Sequence, residues 1–600
     1  MKITISPQQT LSEVASLWPL PSDAIFHKRI PGIGATHGEI LAKRHSIIVL
    51  PNRPVIDSKV KKHNGDAKPN CKILGVHKRT TPESLLEYLN DDNITFKKIL
   101  ITPESYAGKL KLVVGEGWDI VKHNFYLLID ECERTIQDKD YRDKISAPFD
   151  DFFTFKSKGL ISATTLPFSD PRFESLTHYY VLPDYVYRKP LSLVTTNNVV
   201  AAFRVHLKEK PSERYFIFLS SVKATIALIE AIGIQKESII HCSESKARSV
   251  DIKKFNSSSS FDKDKLAKYN FFTSRFYSGL DMILDFMTDV LLITDVNFAE
   301  HSILDPQTEV IQIVGRFRKG VNSTTHITNF NHTIESKTQQ QVQEYLAGQK
   351  DVYKQILEIK SSCKSQGGFD AIEQILTLSP FSRYFKEDGS YDWFMYDNFI
   401  QEQRVLGFYQ SPEKLAEAYQ LVNDHFEITV EDKRFPHSDA DRMRRQSLQS
   451  KKAEIEEVTN QLQNMHPSYG KFTFYSEDMY NDLKTEYPNI VRAFNLIGAE
   501  GIKKADFTAS KIQLAVNAKI EEQSLLTTEV IADVEAKFKG YKKIKEVEAI
   551  QYLSDIYKRH GITLKVKPKQ LKLYFKTSST TINIDNSKVH AINILSPIEH

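Results

Sequence analysis

The hydrophobic rhythm of the chain changes twice. Up to about residue 335, short apolar and β-branched runs alternate with stretches of helical spacing. The runs at 24–27, 46–50, 98–102, 126–130 and 159–162 predict one series of strands. Those at 215–219, 238–241, 270–273 and 290–294 predict a second. Strands separated by helices imply parallel sheets with crossover connections. Two series therefore imply an α/β fold with two lobes in tandem, joined near 182–190, where Pro183 and Pro190 flank a turn-like segment. Beyond that, long runs of helical spacing at 339–360, 412–423, 441–465 and 528–557 predict a mostly helical region. Alternation returns in the last forty residues and predicts a small terminal sheet or hairpin. The expected divisions are 1–186, 187–335, 336–560 and 561–600.

Composition narrows the classes without choosing one. Hydrophobic content of 41% and charged content of 26% are those of an ordinary globular protein. No apolar stretch reaches the roughly 18 residues that would cross a membrane. The N-terminus lacks the apolar run of a signal peptide, so the expected location is the cytoplasm, with no membrane partner. Four cysteines, none in a CxxC pair, argue against a zinc ribbon, an iron–sulfur cluster or a disulfide framework. The net charge is only +4, so any nucleic-acid site has to be a local patch.

Five short segments, each beside an apolar run, carry the candidate chemistry. In the first, the run at 24–27 leads into Gly32-Ile33-Gly34-Ala35-Thr36. Glycines there let backbone N–H groups turn toward a phosphate, and Thr36 offers a hydroxyl to Mg²⁺. The full pattern is G-x-x-x-x-G-K-[ST]; this chain has Arg29 at the first glycine position and Ala35 at the lysine position. In the second, an apolar run delivers Asp130-Glu131 at its C-terminal end, the edge where ligands bind in open α/β sheets. Asp130 suits a metal ion, and Glu131 suits the orientation or deprotonation of a water. Ser162-Ala163-Thr164 ends another run. Thr273 to Asp281 follows the run at 270–273. Gln312 to Arg318 presents Arg316 and Arg318, which can neutralise charge growing on a terminal phosphate.

In this order the segments resemble the motifs of superfamily 2 helicases and translocases. The forms of the last two are most similar to viral origin-binding replication helicases. The resemblance covers a little over half of the chain. It implies two RecA-like lobes that bind ATP and Mg²⁺ between them and step along nucleic acid. It makes Glu131, Gln312, Arg316 and Arg318 catalytic, and it places Gly32, Gly34, Ala35, Thr36, Gly279 and Asp281 around the nucleotide. Thr36 and Asp130 would hold the metal. Pro51, Asn52, Arg53, Thr102, Ser220, Ser221 and Thr273 would touch nucleic acid, with DNA expected over RNA and replication proteins as further partners.

Ala35 departs from that pattern, because the missing lysine bridges phosphates with a charge that backbone cannot replace. Lys28 and Arg29, at the end of the preceding run, are candidate substitutes, with His37, Lys43 and Arg44 behind them. The expected function is a nucleic-acid-dependent ATPase. The alternative is a catalytically weak or dead clamp that binds nucleic acid or protein. Basic clusters at 442–445, 537–545 and 565–576 offer further phosphate contacts, although charge runs are commonly just solvated faces.

Overall fold

The computed structural model describes residues 1–248, 254–277, 282–299, 302–386, 389–435, 438–439, 450–465, 477–584 and 587–598. The chain divides into two units, Met1–Ala440 and Asp441–His600.

The first unit holds two eight-stranded sheets, both wholly parallel in their pairings. The first contains β1 (Lys2–Ile5), β2 (Ala24–His27), β3 (His45–Val49), β4 (Leu74–Val76), β5 (Lys98–Ile101), β6 (Phe125–Asp130), β7 (Ser157–Ser162) and β8 (Thr177–Pro183). Its order is β1-β8-β2-β7-β6-β3-β5-β4. The central strands read as unbroken apolar runs because both faces are covered. Ile47, Leu127 and Ile129 enter one core, while Ile48, Leu128 and Ile161 enter the other. Helix α1 (Ala35–Leu41) follows β2 directly after the glycine-bearing turn.

The second sheet contains β9 (Lys189–Thr196), β10 (Tyr215–Phe218), β11 (Ser238–His241), β12 (Asn256–Ser258), β13 (Tyr269–Phe272), β14 (Asp289–Thr294), β15 (Ser323–Thr328) and β16 (Phe426–Lys433). Its order is β12-β11-β13-β10-β14-β15-β9-β16. The fold class is thus the one expected, two tandem RecA-like parallel-sheet lobes followed by a mostly helical region. The composition of the second sheet differs from the sequence pattern in one respect. Strand β16 comes from chain that the pattern assigned to the helical region, yet it pairs with β9 along its full length. Its side chains are mostly exposed, as suits an edge strand, so it lacks the apolar run that marks a central one.

Helix α2 (Trp393–Phe408) is rooted in both lobes. At its N-terminal end Phe394 is buried in the core of the first lobe, 4.5 Å from the Phe149 ring. Asp392 caps it, accepting from the amides of Phe394 and Met395, and meets Lys139 at 2.8 Å. At the other end Tyr409 is buried in the core of the second lobe and donates to the Leu304 carbonyl at 2.7 Å. Between them, Asn398 bonds the Ile136 carbonyl of the first lobe, and Gln401 and Arg404 bond Asp305 of the second. Sixteen residues of helix span about 24 Å, so one rigid element bridges the two lobes.

The second unit consists of helices and an antiparallel three-stranded sheet. It includes α3 (Thr528–Phe538), β17 (Lys543–Lys545), α4 (Glu546–Arg559), β18 (Phe575–Ile584) and β19 (Ser587–Pro597), with sheet order β17-β19-β18. Val534, Phe538, Leu553, Tyr557, Leu571 and Tyr574 form one of its cores. No helix among the described residues is long and apolar enough to cross a membrane.

Candidate functional site

Strands β2, β7 and β6 are neighbours, so the residues after their C-terminal ends converge. A cavity of about 180 Å³ lies there, lined by Lys28, Gly32–Thr36, Asp130, Glu131, Arg316 and Arg318, with Lys59 and His37 at its wall. The backbone turns sharply to build it. Gly32 and Gly34 have φ of 87° and 82°, and Arg29 and Glu131 adopt left-handed φ of 52° and 54°. A non-glycine residue in that region costs of the order of 1 kcal/mol, so both turns are held by their surroundings. The Glu131 amide donates to Asp130 Oδ1 at 3.0 Å, and the Lys28 amide donates to the Ser162 carbonyl at 2.9 Å.

A buried lysine stands directly after β2, seven residues before Ala35. Lys28 is 5% exposed, and its Nζ lies 3.3 Å from Asp130 Oδ1 and 3.7 Å from Glu131 Oε1. Burial alone would lower its pKa, but the two carboxylates outweigh burial and raise it, so the ammonium persists. Arg29 turns away and pairs with Asp424 at 3.3 Å. Arg44 is held by Glu39 at 2.6 Å. Of the candidate substitutes named from the sequence, Lys28 is thus the one paired with Asp130 and Glu131.

Glu131 is the hub of the site. Arg316 Nη2 donates to its Oε1 at 3.1 Å, and Gln312 Nε2 donates to its Oε2 at 2.7 Å. The same Gln312 amide reaches Glu133 Oε1 at 3.2 Å and Thr164 Oγ1 at 3.1 Å, and its own oxygen accepts from Arg316. Burial pushes the Glu131 carboxyl up, but Lys28 and Arg316 outweigh it and hold the pKa at about 2. Glu133 moves the other way. Burial first and then the Glu131 charge raise it to about 8, so at neutral pH it is a protonated acid beside an ionised one. Thr36 donates its hydroxyl to Asp130, which puts a hydroxyl and a carboxylate oxygen side by side. Hard oxygen donors of this kind fit Mg²⁺.

Arg318 lies flat on the glycine turn, donating to the Pro31 and Gly315 carbonyls at 2.8 and 2.9 Å. A Cβ on Gly32 would sit 1.6 Å from Arg318 Nη1, and one on Gly315 would sit 2.5 Å from Pro31 Cγ. Both glycines are required by the close approach of the two lobes. An adjoining cavity of about 330 Å³ shares Gly32, Ile33 and Arg318 and continues to Tyr185, Tyr187 and His425.

The residues expected to touch nucleic acid divide. Pro51, Asn52, Arg53 and Thr102 line a groove of about 430 Å³ together with Ser274, Arg275, Lys78 and Arg142. Ser220 lines a neighbouring groove with Ser274 and Arg134. Several of the expected hydroxyls are engaged internally. Thr273 is buried and donates to the His241 carbonyl at 3.2 Å, Thr102 donates to Ser105 at 3.0 Å, and Ser221 caps the helix Val222–Ile232. Gly279 and Asp281 lie outside the described residues. Sequence reasoning missed Glu133 as a partner of Gln312 and Arg275 as a groove residue. The signal for Arg275 was present, since it sits inside the fourth segment.

No family description and no curated protein matches the chain. Solved structures do. One is S. cerevisiae Dbp5 bound to RNA and ADP BeF3, at 13% identity and TM-score 0.37, covering 54% of this chain and 83% of that one. A Dbp5 variant bound to the same molecules matches at 14% identity and TM-score 0.36, covering 53% and 82%. The variant bound to Gle1 and IP6 matches at 15% identity and TM-score 0.34, covering 52% and 78%.

Proposed function

We propose that the chain is a nucleic-acid-dependent ATPase or translocase of the superfamily 2 kind, acting on DNA in replication or processing, with Lys28 in the phosphate role that Ala35 leaves empty. The observation that carries this reading is the buried Lys28 ammonium between Asp130 and Glu131, facing Arg316 and Arg318 across one cavity. The turn from Gly32 to Thr36 would cradle phosphates with backbone amides, and the aromatic cavity beside it suits a base. Thr36 and Asp130 would hold Mg²⁺, which would supply neutralising charge to the phosphates. Glu131, ionised and fixed by Arg316 and Gln312, can orient a water. Arg316 and Arg318 can balance charge on the terminal phosphate. The Pro51–Arg53, Thr102 and Ser274–Arg275 groove is the expected track for the strand.

A second reading has its own support. Ala35 removes the usual lysine, and α2 ties both lobes together, as a fixed nucleic-acid or protein-binding clamp would need. ATP hydrolysis with single-stranded DNA, duplex DNA and RNA, with Glu131→Gln as control, separates the two. Turnover stimulated by one polymer and lost in Glu131→Gln establishes the motor. Turnover no greater than that of the control leaves the clamp.

A further inference from the structure

The second unit carries a charge pattern that the ATPase reading does not use. From Ile556 to Ile584 the chain has seven lysines and arginines and no aspartate or glutamate. The structure lays most of them on one course. After α4 ends in exposed Lys558 and Arg559, residues 562–567 alternate strictly. Ile562, Leu564 and Val566 face the core formed by Phe538, Tyr557 and Leu571, while Lys565 and Lys567 face solvent. The 3-10 helix Pro568–Leu573 comes next. Its three-residue turn puts Lys569 and Lys572 on one exposed ridge, while Leu571 is buried. Lys576 continues the row at the start of β18. Arg559 is paired with Asp533. Lys565, Lys567, Lys569, Lys572 and Lys576 have no acidic partner among the described residues.

The hairpin beyond this row is of a particular kind. Strands β18 and β19 are ten and eleven residues long and pair from Phe575↔Pro597 to Ile584↔Ser587. Phe575, Ala591 and Ile592, at its base, are buried, but Thr581, Asn583, Ser587, Lys588 and His590 are all exposed. Four residue pairs, or roughly 14 Å of ribbon, therefore lie beyond the buried Ala591. One face of that end carries exposed Thr581, Asn583, Lys588 and His590, and the other carries the half-buried aliphatic side chains of Ile582, Ile584 and Val589.

We propose that this lysine row and hairpin form a second nucleic-acid site whose ligand is duplex DNA. The lysines seat on the phosphates, and the two-stranded ribbon enters the major groove, whose width of about 12 Å admits such a ribbon. The major groove of duplex RNA is too deep and narrow for it, so the site discriminates the sugar by helix shape. Unpaired lysines beside the ribbon's polar face suit a polyanion with hydrogen-bonding edges. This inference rests on the reading of the chain as a nucleic-acid protein and adds to it a duplex-anchoring point in the second unit.

The test uses the full chain without nucleotide. Fluorescence anisotropy is measured against duplex DNA and duplex RNA of equal length over a range of salt. The variant K565Q/K567Q/K569Q/K572Q is compared with the charge-matched K236Q/K503Q/K504Q/K511Q. The first should weaken duplex DNA binding at least tenfold and flatten the salt slope by about three to four, near one per lost phosphate contact. The second should change Kd less than about threefold. Duplex RNA should bind the unmodified chain at least tenfold more weakly than DNA. Equal losses in the two variants, an unchanged slope in the first, or equal affinity for the two duplexes overturns the proposal. Lys28→Met separates it from the ATPase reading, since that variant should lose turnover and keep duplex binding.

Discussion

Replacing Lys28 with methionine keeps the side-chain volume and removes an ammonium 3.3 Å from Asp130 and 3.7 Å from Glu131. At an effective dielectric of about 20, each contact is worth roughly 4–5 kcal/mol before desolvation. Because burial takes back much of that, breaking such a pair costs about 3–5 kcal/mol net. The pH dependence follows from Glu131, whose pKa is held at about 2, below its usual 4.5. A depressed carboxyl contributes stability above pH 4.5 that is lost as pH falls toward 2. Without Lys28 the depression shrinks, so the stability deficit should be largest near neutrality and should narrow on acidification. Turnover should fall on the order of 10²–10³-fold, as for loss of one preorganised donor to a developing charge. Lys28→Arg should recover part of both losses, and Arg29→Ala, which breaks only the contact with Asp424, should stay within about twofold. Urea unfolding between pH 2 and 7 reads the first effect and steady-state ATP hydrolysis the second. If Lys28→Met retains turnover, or Arg29→Ala loses as much, the assignment of the phosphate cation is wrong.

Three other perturbations probe separate links. Glu133 is raised to about 8, so its protonated form favours the folded state, and that contribution fades as pH rises from about 4.5 through 8; Glu133→Gln should flatten the decline, and an unchanged melting profile between pH 6 and 8.5 would contradict the protonated assignment. Gly32→Ala forces a side chain into a left-handed turn and onto the Arg318 guanidinium; it should lower Tm by several degrees and cut turnover at least tenfold, both measurable on one preparation. Phe394→Ala empties a site in the core of the first lobe at one root of α2; it should cost about 3–5 kcal/mol in urea unfolding and expose the segment 393–408 to hydrogen exchange, whereas a loss under 1 kcal/mol would show that the helix does not brace the lobes.

Much of this protein is written locally. Apolar runs such as residues 126–129, followed by Asp130-Glu131, specify a buried parallel strand and the acids at its end, because a strand covered on both faces needs no alternation. The glycine turn, Gln312 and the arginine pair were legible for a similar reason, since their chemistry depends on residue types at short spacing. Other features depended on distant packing. Strand β16 is too polar to announce itself, and it becomes a strand by pairing with β9 more than two hundred residues earlier. Helix α2 is aromatic-rich and only weakly amphipathic, which reads as a packed core or an interdomain joint, but distant packing decides which cores its two ends enter. The sequence could offer Lys28 and Arg29 equally as replacement cations. Backbone geometry chose between them, because the left-handed turn at Arg29 sends that side chain to Asp424 and leaves Lys28 facing the acids. The sequence thus determined the elements and the chemical inventory. Tertiary structure decided which charges share a low-dielectric cavity, and that proximity sets Glu131 near 2 and Glu133 near 8.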